Sequence, residues 1–145
     1  MIIEYDKKFR MGYEKLVKLL WNDISDTDLE EIITSHELKK DRIFLYIKDD
    51  LVIGFINVAL RNDYVEGCTS LGVGYIEGVY VCEPYRRNQI AMQLVDHSIN
   101  FFKKMGITEI GSDTELENEM SQLFHKMIGF KEVSRNVHYI MKIGD

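Results

Sequence analysis

"GYIEGVYVCEPYRRNQIAMQLVDHSINFFKKM", residues 74–105, decides the fold. Gly74 to Cys82 is a β-branched and aromatic run, which predicts a strand. Ile90 to Met105 spaces its apolar residues along one helical face, and Gly106 follows as the stop. The junction "EPYRRNQIA" (Glu83 to Ala91) puts adjacent arginines between them in a chain of net charge −6. A helix starting there presents unpaired N–H groups and its positive dipole end, a ready anion site. Successive loop N–H groups, from Arg86 to Ala91, can add a concave nest. The best-matched anion is a pyrophosphate, with Arg86 or Arg87 supplying charge-assisted bonds. The plain alternative is two exposed arginines on an ordinary loop.

Working outward, "IIEY" (Ile2 to Tyr5) reads as a short strand. Phe9 to Trp21 has helical spacing, and so does Ser25 to Leu38, with Asp26 or Thr27 as the N-cap. "RIFLYIK" and "LVIGFINVAL" form a hairpin through "KDD" (Lys48 to Asp50), and Asn62 to Ser70 is a polar loop. After the central helix, "ITEIG" reads as a buried strand, Glu115 to Ile128 as a helix stopped by "GF", and "KEVSR" and "VHYIMKI" as closing strands. The order is β-α-α-β-β-β-α-β-α-β-β. Its strand–helix–strand crossovers require parallel neighbours. The expected fold is an α/β (α+β) mixed central sheet with helices on both faces.

The 145 residues, with a single Pro and no low-complexity tract, suit one domain over 1–145. The N-terminus lacks an uninterrupted apolar core for a signal peptide, and the longest apolar run, Leu51 to Leu60, is too short for a membrane span. The expected setting is therefore the cytoplasm, with no membrane partner. The acidic balance argues against nucleic acid and fits a cationic ligand, or no charged ligand at all. Cys68 and Cys82 have no CxxC or metal spacing and read as reduced thiols; the four histidines show no HExxH pattern, so no metal is expected.

The junction resembles the acetyl-coenzyme A loop of the GCN5-related N-acetyltransferase superfamily, Arg/Gln-x-x-Gly-x-Gly/Ala, with "RRNQIA" matching at Arg86 and Ala91. A second resemblance is "NEMSQLFHKMIGF" (Asn118 to Phe130): a helix Asn, then an aromatic, then "GF". The element order is that superfamily's order over nearly the whole chain. Within it, "LLWND", "RNDYVEGCTS", "YIEGVYV", "SDTELEN" and "HKMIGFKE" resemble the aminoglycoside 6'-N-acetyltransferase group. Gln89 stands where the superfamily has Gly. A negative φ at 89 would still let it donate its N–H; a required positive φ would impair binding and favour a non-catalytic acyl-CoA-binding module.

The resemblance implies acetyl-CoA as cosubstrate, held by the backbone of Val79, Tyr80 and Val81, by the loop Arg86, Arg87, Asn88, Gln89, Ile90 and Ala91, and by Asn118. It implies a small polycationic amine as acceptor and a homodimer. Glu77 is the candidate base: a carboxylate inside an apolar strand needs a reason, although a solvated strand face would also supply one. Gly78 beside it permits a bulge that would open a slot for the pantetheine. Asp113 follows a strand at the edge where such sheets bind ligands and matches the group's substrate-binding Asp. Trp21 and Tyr64 match its aromatic contacts to the aminoglycoside, with core packing as Trp21's alternative. His125 stands where the group often has a proton-donating Tyr, and could donate that proton or equally bond the cofactor; Ser134 stands where the group has a further acid. Acetyl transfer would be direct, with a polyamine, another small amine or a protein amine as alternative acceptors.

Overall fold

The computed structural model describes residues 1–63, 65–70 and 72–144. They form two compact units, Met1–Asp113 and Thr114–Asp145. The first holds β1 (Ile2–Glu4), α1 (Arg10–Leu20), α2 (Asp26–Glu37), β2 (Asp41–Lys48), β3 (Leu51–Arg61), β4 (Val73–Val81), α3 (Ile90–Lys104) and β5 (Ile110–Ser112). The second holds α4 (Glu119–Met127).

The sheet runs β1-β2-β3-β4-β5. Its first three pairings are antiparallel and β4–β5 is parallel, as the α3 crossover demands. The β2–β3 turn places Asp49 and Asp50 at φ 51° and 63°. These are the two positive values of a type I′ hairpin, which Asp tolerates through its short polar side chain. The α2 cap is Ser25, one residue before the expected Asp26 or Thr27. Ser25 keeps an extended backbone, and its Oγ accepts the Asp28 N–H at 3.0 Å. Asp26 is already helical there, with its charge on the favourable end of the dipole.

One face of the sheet takes α1 and α2. Tyr13, Leu16, Val17, Leu29 and Ile33 pack there with Ile43, Leu45 and Phe55. Each such side chain contributes about 1.5–3 kcal/mol when fully buried. Tyr13 is fully buried and donates its hydroxyl to Asn57 Oδ1 at 2.9 Å, fixing α1 to the middle of β3. The opposite face takes α3, which turns Ile90, Leu94, Val95, Ser98 and Phe102 inward. A Cβ on Gly74 would stand 2.6 Å from the Phe102 ring, so α3 crosses β4 at a distance only glycine allows. Gly106, at φ 82°, ends the helix.

β5 is half-buried and three residues long, shorter and more exposed than the buried strand expected from "ITEIG". In the second unit α4 begins at Glu119, because Glu115 to Asn118 close a turn first and Asn118 caps the helix through Ser121 N–H. The closing strands expected from "KEVSR" and "VHYIMKI" are not formed. A strand is stable only when its N–H and C=O groups find a partner strand, and the described residues of Thr114–Asp145 contain none. Tyr139, Ile140 and Ile143 consequently expose more than nine-tenths of their surface.

Candidate active site

The site begins with an irregularity in the ladder. Asn57 pairs with Gly78 and Val58 with Ile76, which leaves Glu77 without a partner across β3. This is the bulge that Gly78 allows. A Cβ on Gly78 would meet Trp21 Cζ2 at 2.4 Å and Leu20 Cδ2 at 2.9 Å, so the end of α1 packs directly onto the bulge. Trp21 lies half-buried there, 6.2 Å from the Phe55 ring. The bulge exposes Glu77, although Tyr75 and Ile76 before it are buried.

The same point opens the sheet. β5 pairs with β4 only along Gly74–Ile76. Beyond it, among the described residues, the other edge of β4 carries no strand at Val79, Tyr80 and Val81. A free edge of this kind can bind an extended amide chain by main-chain hydrogen bonds.

Glu77 faces two residues that sequence reasoning missed. Arg61 Nη2 donates to its Oε1 at 3.0 Å and Oε2 at 3.1 Å, and Arg61 Nε to Oε1 at 3.3 Å. The Arg61 guanidinium lies 3.5 Å from the centroid of the Tyr75 ring. The Tyr75 hydroxyl in turn donates to Asp113 Oδ2. Burial and the bond to Asp113 both raise the Tyr75 hydroxyl above its ordinary value, so it keeps its proton. Burial opposes the Arg61 charge, but its bonds to Glu77 more than offset this and raise it. The chain Glu77–Arg61–Tyr75–Asp113 therefore links the two predicted carboxylates. Tyr75 could have been found from the period of two with Glu77 along β4, and Arg61 from its place at the head of "RNDYVEG". Tyr64 lies outside the described residues.

Arg86 to Ala91 connect the end of β4 to α3. Arg86 Nε donates to Val81 O at 2.9 Å, and its guanidinium lies 5.2 Å from the Tyr80 ring, pinning the loop to the strand. Asn88 Nδ2 donates to Tyr85 O at 3.2 Å. Gln89 does not adopt the negative φ that would suit a side chain: φ is 61° and ψ 17°. Arg87 is also left-handed, at φ 68°, with Asn88 between them at negative φ. Alternation of hand along successive residues turns their N–H groups into one concavity. Left-handed non-glycine residues cost energy and cluster at ligand clamps. Gln89 thus meets the condition expected to impair binding, while the alternating hand still allows the loop N–H groups a concave arrangement. No side chain caps α3, and its first helical bond is Gln93 N–H to Gln89 O at 2.9 Å, leaving the N–H groups of Ile90 and Ala91 ahead of it.

In the second unit, Asn118 spends Oδ1 on its own helix cap. His125 Nδ1 lies 2.7 Å from Ser121 O, so Nδ1 carries the hydrogen of this bond. Burial raises the Cys68 and Cys82 thiols, which disfavours a thiolate nucleophile at either. Among the described residues no group of three or more His, Cys, Asp or Glu could hold a metal ion. Among the described residues no helix is long and apolar enough to cross a membrane.

A mixed sheet opened beside an anion-ready helix N-terminus, with a carboxylate bulged into the opening, has the parts of a group-transfer enzyme that holds a phosphorylated carrier. Residues 9–130 match the acetyltransferase (GNAT) family, and the chain belongs to it. An aminoglycoside N(6')-acetyltransferase type 1 from Salmonella enteritidis is 35% identical over 142 residues, covering 95% of this chain and 96% of the relative. The apo crystal structure of an aminoglycoside antibiotic 6'-N-acetyltransferase from Acinetobacter haemolyticus superposes with a TM-score of 0.90 at 28% identity, over 99% of each chain. AAC(6')-Iy, solved with the bisubstrate analogue CoA-S-monomethyl-acetylneamine, gives a TM-score of 0.87 at 32% identity, over 98% of this chain and 97% of that one.

Proposed function

We propose that this protein is an acetyl-CoA-dependent aminoglycoside 6'-N-acetyltransferase that moves acetyl directly to a primary amine and so confers antibiotic resistance. The observation that carries this reading is the bulge, which turns Glu77 out of the sheet where the edge of β4 comes free. Relatives of that name along nearly the whole chain support it.

Acetyl-CoA supplies the acetyl group as an activated thioester. The nest from Arg86 to Ala91, with Arg87 beside it, holds the pyrophosphate by backbone N–H groups and the α3 dipole. The N–H groups of Val79 to Val81 take the pantetheine and donate to the thioester oxygen as negative charge grows on it. The family resemblance gives Asn118 the pantetheine amide as its partner. Glu77 and Asp113 receive the acceptor's ammonium groups, and Trp21 flanks the sugar rings. Glu77 takes the proton from the attacking amine, directly or through water. A dedicated acid is not required, because a thiolate leaves readily near neutral pH. His125 stands where a proton donor would, and it can donate that proton or bond the cofactor.

The acidic chain, net charge −6, suits a polycationic acceptor and not a nucleic acid or an anionic membrane. The setting is the cytoplasm. The exposed apolar side chains of Val137, Tyr139, Ile140 and Ile143 support a homodimer that covers them. Light scattering on the eluting protein reads the mass; a monomer at micromolar concentration removes the dimer.

The test of function is thiol release from acetyl-CoA by purified protein with a panel of acceptors. Aminoglycosides with a 6'-amine should turn over, and counterparts with a 6'-hydroxyl should not. Turnover confined to polyamines or peptides, or CoA binding with no turnover, overturns the proposal.

A further inference from the structure

We propose that Arg61 is a positioning residue of the acceptor site: a fixed cation between the two carboxylates that competes with the acceptor's ammonium for Glu77 and favours the neutral, nucleophilic amine. This rests on Glu77 being the acceptor-side carboxylate of the reading above. The geometry is specific. The guanidinium engages both oxygens of Glu77 at 3.0 and 3.1 Å, lies 3.5 Å from the Tyr75 ring centroid, and reaches Asp113 through the Tyr75 hydroxyl. Stacking and a bonded carboxylate hold it from both sides. Arg61 and Glu77 each keep over a third of their side chain exposed, so the acceptor can reach the pair.

An ammonium approaching Glu77 therefore meets a guanidinium already seated on it. Two consequences share one electrostatic cause. The cation weakens ground-state binding of the charged acceptor, compared with two unopposed carboxylates. A like charge nearby also disfavours the protonated amine, which cannot attack, and so raises the fraction that can. Removing the guanidinium should tighten acceptor binding and slow turnover together. A purely structural strut would not behave this way: its loss would raise KM, or lower kcat equally at every pH.

The experiment uses the full chain with acetyl-CoA and kanamycin. It compares wild type, Arg61→Gln and Arg61→Lys by steady-state kinetics from about pH 6 to 9, and by calorimetry of kanamycin binding to the CoA-saturated protein. For Arg61→Gln we expect kanamycin KM and Kd about fivefold lower, the scale of a partly exposed ion pair. Its kcat near neutral pH should be lower by a similar factor, with the deficit closing as pH rises and KM for acetyl-CoA unchanged. Arg61→Lys, which keeps the charge, should bring both parameters back toward wild type. Arg61→Met, which retains an apolar stem against Tyr75, repeats the test if the Gln variant folds poorly. A neutral variant with higher or unchanged kanamycin KM, or with the same kcat deficit at every pH, overturns the proposal. Wild type that neither binds nor acetylates kanamycin instead sinks the functional reading, and this one with it. Wild-type kinetics in Glu77→Gln sinks the role of Glu77 first.

Discussion

Gln89→Gly probes the left-handed turn that begins α3. At φ 61° and ψ 17° a side chain carries a steric cost of about 1–2 kcal/mol that glycine does not. Glycine gives back about 0.5–1 kcal/mol through its freer unfolded chain. The variant should therefore gain up to about 1.5 kcal/mol net, the difference of those two ranges. In a chain of this size that raises Tm by up to about 6 °C. The N–H groups of the nest stay in place, and a side chain leaves the mouth of the anion site. Stabilisation by acetyl-CoA, about 2.7 kcal/mol at ~100 Kd, should be kept or enlarged. Urea unfolding with and without saturating acetyl-CoA reads both quantities. A variant less stable than wild type, or one whose acetyl-CoA increment disappears, would refute the account: the glutamine would then be holding the loop or the ligand itself.

Gly74→Ala and Gly78→Ala drive a methyl into Phe102 and into Trp21 with Leu20, on opposite faces of β4. Each should lose about 1–3 kcal/mol by overpacking, measured by denaturation, but only Gly78→Ala, which displaces Trp21, should also raise acceptor KM. His36 accepts the Ile43 N–H on Nδ1, and burial lowers its pKa in the folded protein. Its share of stability is present above the unfolded value of about 6.5 and is lost as pH falls below it. Unfolding free energies measured across that range should show this slope, reduced in His36→Asn, with a remainder from His97, which burial also lowers. Asp113→Asn should weaken kanamycin binding about fivefold, the scale of one partly exposed ion pair, and leave acetyl-CoA binding alone; equal loss of both would indicate a structural role at β5.

The strand–junction–helix pattern of residues 74–105 was legible because its signals are local: β-branched runs, helical periodicity, and Gly106 where the chain must turn left-handed. The bulge at Glu77 was legible from its glycine neighbour. What the sequence did not reveal depends on partners distant in the chain. Arg61 and Tyr75 meet Glu77 and Asp113 only once β3, β4 and β5 lie side by side, and an arginine at the end of a strand carries no mark of that. The handedness of Gln89 stayed open in the sequence, because glutamine has no local preference for positive φ; the loop imposes it. Ser25 lay one residue from the expected cap, within the usual uncertainty of helix ends. The apolar pattern of residues 131–143 reads as strands, yet pattern supplies no partner, and no strand forms among the described residues of Thr114–Asp145.

Glu77→Gln tests the central claim most directly. It keeps the shape of the side chain and removes its capacity to take the amine's proton. With acetyl-CoA saturating and a 6'-amino aminoglycoside as acceptor, kcat/KM near neutral pH should fall by about 10²–10⁴-fold, or roughly 3–5 kcal/mol of transition-state stabilisation. The residual rate should climb as the acceptor loses its own proton. A Gln variant with wild-type kcat/KM at neutral pH would contradict the account and reduce the bulge to a feature of the fold.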